Sequence, residues 1–521
     1  MMNCEEMIES KVHEFSIKPN QWLNEAKELD FYHNSGIAEF KALKDRIFDE
    51  ICNRGPIYKK NRMKETLRMI LLNLWLADLC GFPIMYSRSP NQYSHNTRYN
   101  LLFYKYNLVI KVTDTLEAMG YIQQRNGYFN REDGIKRRTR AFATDRLIDL
   151  FAEYLPTDFG IVHRDPPKEI IQLKNSKKIL IGYDTDERTV QMRILLHRYN
   201  QFIQNQEITV EIPVDMPIKL EFLKDLKFNL LRGVASVKDF VWLPPSIQPN
   251  NNKSILTHLY NNLHNHNNHH NYNHIYTIIS TITNKDLVNR LDVVREVNGK
   301  KMIILKDLGI GRLVLGLEYE QLHRVFNQSS FEKGGRFYGA FHLSLGKELR
   351  PFIRINGDPV VELDYSALHI RMLYHSVGID YREDPYSILC DREEDRGIYK
   401  LVQLVSINAE NEGKAIKAIR NEFRKEGYYN HLTDKAIIGL INRFKRAHKP
   451  IQNFLNAGVG LDLQNRDSAI TEQILTHFYE CGIPVLPVHD SYIITSNYSG
   501  TLADTMNSYY ERDFGFQPVV K

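Results

Sequence analysis

The sequence predicts an α+β protein whose chemistry is gathered in its second half. Three observations carry that prediction: amphipathic helical stretches from residue 61 onward, an apolar strand ending in Asp364, and a hairpin with Asp490 at its tip. At 521 residues the chain is too long for one ordinary core and long enough for about three domains. A composition of 43% hydrophobic and 25% charged residues is that of a globular protein and excludes a disordered chain. No apolar run reaches the roughly 18 residues that a membrane span needs, so no membrane partner is expected. The opening MMNCEEMIESKVHEF is acidic and polar, unlike a secretory signal. The five scattered cysteines form no CxxC pair, which points to a reducing cytoplasm without a disulfide framework or zinc knuckle. A net charge of +5 permits a nucleic-acid partner without arguing for one.

Residues 1–164 read as a helical N-terminal region. KNRMKETLRMILLNLWLADLC is a helix with a basic start and an apolar body. Leu108, Val112, Leu116 and Met119 share a helical face, and Gly120 follows as a natural C-terminal cap. A short strand at Tyr121-Ile122, a turn at Arg125-Asn126-Gly127 and a second strand from Tyr128 complete the outline of a winged helix. Lys136, Arg137, Arg138 and Arg140, with Tyr128, Phe129 and Phe142, would make its wing basic and aromatic, suited to a DNA backbone. The segment resembles the winged-helix domains of plasmid replication initiators. A helical subdomain with a solvated basic loop is the equal alternative. Residues 165–330 read as mainly helical, as in VQMRILLHRYNQFI. Within them, the histidine- and asparagine-rich tract 249–274 is a linker or long loop rather than a metal site, because its histidines are irregularly spaced and no carboxylate or thiolate joins them.

Residues 331–521 carry the acidic chemistry. Val360, Val361 and Leu363 form a strand that delivers Asp364, and a helix begins near Ser366. Val485 to Val488 form a second strand, which meets His489-Asp490-Ser491 and returns as Tyr492-Ile493-Ile494. Two aspartates on adjacent strands can share two divalent cations, the clamp that phosphoryl transfer needs. Oxygen ligands favour Mg²⁺ or Mn²⁺ over zinc. An aspartate after a strand is, taken alone, more often a helix N-cap. Between the two lies RGIYKLVQLVSINAEN, where Arg396, Lys400, Leu404 and Asn408 share one helical face. A guanidinium fork and an ammonium at that spacing suit a triphosphate. The acidic residues Asp384, Asp391, Glu393, Glu394 and Asp395 just before it keep a solvated surface turn in view.

The order of these pieces resembles family A DNA polymerases. DYSALHIRMLYHSVGID (364–380) is similar to the family's motif A, and VHDSYII (488–494) to its motif C. Gly335-Arg336, LINRFKRAHKPIQNFL (440–455) and LDLQNRDSAITEQIL (461–475) resemble further family segments in the same order. Divergent polymerases and primases carried by bacterial mobile elements are the nearest in kind. The resemblance implies a right-hand fold: a palm of antiparallel sheet and helical fingers over 331–521, a thumb-like helical region over 165–330, and a helical or winged-helix N-terminal domain. It implies that Asp364 and Asp490 hold both metals and that Arg396 and Lys400 bind the incoming triphosphate. Tyr365, His369 and Asn408 fall among the nucleotide-binding positions, while Arg336, Gln464 and His489 would meet primer and template. DNA, dNTPs and a helicase or small accessory protein are the implied partners.

Several positions depart from the family pattern. His369 stands where the family has a glutamate that excludes the ribose 2′-hydroxyl, Asn408 where it has a tyrosine beside the sugar, Leu404 where it has an aromatic, and Ser491 where it has a glutamate. A relaxed sugar filter follows, so rNTPs and unprimed synthesis come within reach. A single-subunit RNA polymerase, a catalytically inactive DNA-binding replication initiator and an unrelated metal-dependent nuclease or transferase remain as alternatives. No strand-borne Asp-x-Glu of a proofreading exonuclease is evident; Asp184-Thr185-Asp186 sits in a polar turn.

Overall fold

The computed structural model describes residues 23–56, 59–90, 93, 98–99, 104–129, 136–155, 162–164, 169–231, 235–242, 279, 294–297, 300–308, 310–317, 321–390, 395–426 and 433–521. The tract 249–274 and the acidic residues Asp391, Glu393 and Glu394 lie outside them. The fold is mixed α+β with chiefly antiparallel sheets. No described helix is long and apolar enough to cross a membrane. Two compact units interleave along the chain: residues 1–168 with 209–320, and residues 169–208 with 321–521.

In the first unit the helix Lys60–Cys80 is buried from Met69 to Ala77, because Met69, Ile70, Leu71, Leu72 and Leu74 leave little polar face. Gly81 ends it in the left-handed conformation, at φ 72°. The helices Ala38–Cys52, Tyr106–Ala118 and Asp145–Tyr154 pack against it. Tyr106–Ala118 turns inward through Val109, Val112 and Leu116, so Leu108 is only partly buried, and Gly120 caps it as expected.

The hairpin that follows differs from its prediction. Ile122–Arg125 pairs with Thr139–Ala143, and Tyr128–Phe129 pairs with Lys136–Arg137 in the same register. The chain therefore runs straight through the expected turn. Gly127 permits this, since a Cβ there would lie 2.4 Å from the Arg137 carbonyl oxygen across the ladder. The basic wing is also smaller than its sequence suggests. Arg138 is ion-paired with Glu28, and Arg140 is 6% exposed. The stretch expected to be helical carries the helices Glu187–Gln204 and Leu220–Leu231, but strands run between them and beyond. Ala235–Trp242 pairs with Ile310–Leu317, and Lys300–Ile304 with both Val294–Val297 and Pro217–Lys219. A register shift between Val237 and Asp239 breaks the alternation that would otherwise betray the first of these strands.

The second unit is labelled here in chain order. It contains β1 (Ile171–Leu173), α1 (Glu187–Gln204), β2 (His323–Asn327), β3 (Ser330–Tyr338), β4 (Ile353–Ile355), β5 (Asp358–Asp364) and α2 (Leu368–Ser376). Then come α3 (Asp395–Asn408), α4 (Glu412–Glu426), α5 (Asp434–Ala447), α6 (Gly460–Glu480), β6 (Val485–Val488), β7 (Ser491–Thr495) and α7 (Ser499–Phe514). Asp186 is the N-cap of α1, in a reciprocal capping box with Thr189, which accounts for that polar turn without catalysis. Within this unit β4, β5, β7 and β6 lie side by side, all antiparallel. The helices α6 and α7 pack together, and α3, α4 and α5 pack on one another, with α3 also meeting α6. The last residues of the chain extend the strand end: Lys521 exchanges backbone hydrogen bonds of 2.9 and 3.0 Å with Asp364, and Ser366 N–H donates to Val519 O at 2.8 Å.

α6 crosses β3 at close range, and Gly335 makes this possible. Its φ is +95°, and a Cβ there would lie 2.6 Å from the Phe326 ring and 2.9 Å from Ser468 Oγ. Buried Arg324 secures the crossing, donating to Gly335 O at 2.9 Å and Glu472 Oε2 at 2.6 Å. Its guanidinium lies over the rings of Phe326 and Phe337. Gly335→Ala should cost about 2–4 kcal/mol, from left-handed strain plus overpacking. Chemical denaturation would measure it, and a near-neutral result would mean that the crossing is not tightly packed.

Candidate active site

Asp364 and Asp490 reach the same end of the sheet for a simple reason. β5 is an apolar strand whose last residue is Asp364, and β6 and β7 are joined by the two-residue turn His489-Asp490. Asp364 pairs with Ser491 in the register, and Tyr365 N–H donates to Asp490 O at 3.2 Å. Both chain turns beside the pair are strained: His489 has φ 62° and Ala367, which leads into α2, has φ 47°. Non-glycine residues adopt that region at a cost, and such strain gathers at functional sites.

The electrostatics are those of an uncompensated acidic pair. Burial first, and then the charge of Asp490, push the Asp364 carboxyl up to about 6, against the opposing pull of Lys347 and Arg350. Neither aspartate makes a side-chain hydrogen bond or ion pair among the described residues. A divalent cation held by both would relieve the repulsion, and the donor set is all oxygen, as Mg²⁺ or Mn²⁺ requires. Among the described residues no group of three His, Cys, Asp or Glu side chains could enclose a metal. The pair fits the open kind of Mg²⁺ site, in which one or two carboxylates share the ion with substrate phosphates.

Beside the pair stands a cluster that sequence reasoning only half anticipated. Arg336, on β3, donates through Nε to Asp467 Oδ1 and Oδ2 at 3.2 and 3.1 Å. His369 Nε2, on α2, lies 2.9 Å from Asp467 Oδ2 and 3.4 Å from Arg336 Nη2. Burial works against the Arg336 charge, but the bond to Asp467 and the further charge of Asp490 raise its pKa above the ordinary value. The His489 ring lies 5.9 Å from that of Tyr338. Burial, and then the Arg336 cation, lower its pKa below the ordinary histidine value. Gln464 lies three residues before Asp467 on α6, on the same side of the helix. Asp467, Arg350 and Glu362 were not singled out from the sequence. Their partners are more than ten residues away, and a charged residue inside a helix or strand pattern gives no sign of what it meets.

The remaining predicted residues separate into two groups. Lys400, Leu404 and Asn408 line an exposed face of α3 as their spacing predicts, with Leu404 58% exposed. Arg396 is engaged: Nη1 donates to Asp384 Oδ2 at 2.6 Å, and its guanidinium lies 4.9 Å from the Tyr386 ring centroid. Asn408 Nδ2 donates back to Leu404 O at 2.7 Å. No hydrogen bond or ion pair among the described residues joins this face to the two aspartates. Tyr365 has to be corrected. It does not belong with nucleotide-binding positions, because its ring is buried with Tyr492 and Tyr510 and its hydroxyl donates to Met506 O at 2.7 Å.

Comparison with protein-family models and with curated proteins returns no match. The site's own geometry therefore carries the functional argument.

Proposed function

We propose that this protein is a template-directed nucleotidyl transferase of the right-hand type, a DNA polymerase or primase-polymerase that uses two divalent cations. The observation that carries the reading is the meeting of Asp364, at the end of β5, with Asp490, in the turn that leads into its antiparallel neighbour β7, both without hydrogen-bond or ion-pair partners among the described residues and mutually repelling. In this reading β4 to β7 with α6 and α7 are the palm, and α3 to α5 are the fingers. Asp364 and Asp490 would hold Mg²⁺ or Mn²⁺, which when bound makes an attacking hydroxyl more acidic and neutralises departing pyrophosphate. Lys400 offers an exposed ammonium to the triphosphate, and Arg396 adds a fork once it exchanges Asp384 for phosphate. In this reading Arg336, held by Asp467, and His489 face the primer–template with Gln464. The N-terminal helices and hairpin would grip DNA.

The test is extension of a template with Mg²⁺ or Mn²⁺, supplied with dNTPs or rNTPs, each with and without a primer. Synthesis that disappears in Asp364→Ala supports the reading. Intact DNA binding with no synthesis under any condition favours a binding protein. Lys400→Ala should raise the apparent KM for nucleotide about tenfold or more, with a smaller effect on kcat, in steady-state incorporation. An unchanged KM would remove Lys400 from the triphosphate site.

A second reading, ribonucleotide use in priming, is favoured by Asn408. Its short side chain is turned back onto its own helix and offers no ring to pack beside a sugar. Single-nucleotide incorporation should then show less than about a thousandfold preference for dNTP over the matched rNTP. A larger preference would exclude it.

A further inference from the structure

The acidic pair has a third carboxylate beside it. Glu362 stands two residues before Asp364 on β5, so both side chains leave the same face of the strand. Unlike the aspartates, Glu362 is fully engaged. Arg350 grips it as a fork, Nε to Oε2 at 2.8 Å and Nη2 to Oε1 at 2.8 Å. Ser491 Oγ donates to Oε1 at 2.6 Å from the neighbouring strand. Arg350 is itself tied to the Leu345 carbonyl oxygen at 3.3 Å.

Ser491 is the residue after Asp490. It is 5% exposed, and it closes the turn by pairing with Val488 across the hairpin. The turn it closes is strained at His489. Nothing holds the Asp490 side chain in place among the described residues, so its position depends on the backbone on either side. On one side that backbone is left-handed; on the other it is pinned through Ser491 to Glu362 and Arg350. Because Asp364 and Glu362 belong to one strand, the pin connects the two halves of the acidic pair through a single side-chain chain.

We propose that Arg350, Glu362 and Ser491 form a positioning chain that fixes Asp490 against Asp364 and so sets the pair's affinity for divalent cations. Glu362 is then a positioning residue and not a cation ligand. This rests on the reading of Asp364 and Asp490 as a cation site. Groups that orient ligating carboxylates typically change metal affinity by about 10–100-fold when removed.

The experiment uses the full chain without nucleotide or nucleic acid, and follows free Mn²⁺ by electron paramagnetic resonance as protein is added. The proteins are the parent, Asp364→Ala, Ser491→Ala, Ser491→Thr, Glu362→Gln and the double variant Ser491→Ala/Glu362→Gln, each with a thermal unfolding curve. Ser491→Ala and Glu362→Gln should each weaken Mn²⁺ binding about tenfold or more, with cooperative unfolding retained. Ser491→Thr, which keeps the hydroxyl, should bind like the parent. The double variant should be no weaker than the weaker single, because the residues act as one unit. Parent-like Mn²⁺ binding by Ser491→Ala, with Asp364→Ala clearly weakened, would overturn the positioning chain alone. Equal loss in Ser491→Thr and Ser491→Ala would overturn it too. Parent-like binding by Asp364→Ala would overturn both the chain and the cation site on which it rests.

Discussion

Asp364→Asn is expected to abolish metal-dependent synthesis and, in the same protein, to raise thermal stability in the absence of metal. The loss of activity should be at least about a thousandfold, equivalent to about 4 kcal/mol of transition-state stabilisation. The gain in stability follows from the sign of the shift. Asp364 is pushed up to about 6 by burial and by Asp490, so the folded protein binds that proton more tightly than the unfolded chain does. Its ionised form is therefore a cost to the fold, present in full above about pH 6 and relieved as pH falls through that value. Asparagine removes the charge at every pH. Unfolding curves with chelator should show the variant ahead of the parent at pH 8, with the difference shrinking toward pH 5. A variant less stable than the parent at pH 8 would contradict the repulsion. Retention of synthesis would exclude Asp364 from catalysis.

Asp467→Ala should be among the most destabilising single changes in the second unit. Asp467 is 2% exposed and is the shared acceptor of Arg336 and His369. Removing it leaves the Arg336 cation largely buried without its partner, a loss typically of about 3–5 kcal/mol. Replacing both partners, as Arg336→Met with Asp467→Leu, should recover much of that stability, since an apolar pair has no charge to desolvate. On the proposed reading synthesis should not recover with it, because the Arg336 guanidinium is still missing from the site. Chemical denaturation of the single and double variants checks the first part and primer extension the second. A loss below about 1 kcal/mol in Asp467→Ala would mean that the ion pair is not holding β3 to α6.

Local pattern made the frame of the site legible, and distance hid its connections. Val360, Val361 and Leu363 announce a strand, half-buried in the fold, Val485 to Val488 a buried one, and the polar His489-Asp490 between two apolar runs announces the turn. The helix 60–80 declares itself by its basic start and apolar body, whereas the helix 460–480 is legible only as the segment 461–475 through the family resemblance. Asp467 gave no such signal, because its meaning comes from Arg336, 131 residues earlier. The ties from Arg350 to Glu362 and from Glu362 to Ser491 are equally invisible without the fold. The hairpin after Gly120 shows a different failure. Asn126-Gly127 is a strong turn signal, yet here glycine serves close backbone approach within a continuing ladder. Interleaved units cannot be read from a linear division at all, because residues 169–208 join a partner that begins only at 321.

The pairing of Lys521 with Asp364 bears on how the protein should be handled. Proteolytic loss of residues 519–521 would strip the strand end of its edge partner while leaving every core side chain in place. Mass measurement of the peptide that carries Val519 to Lys521 therefore belongs beside every inactive result.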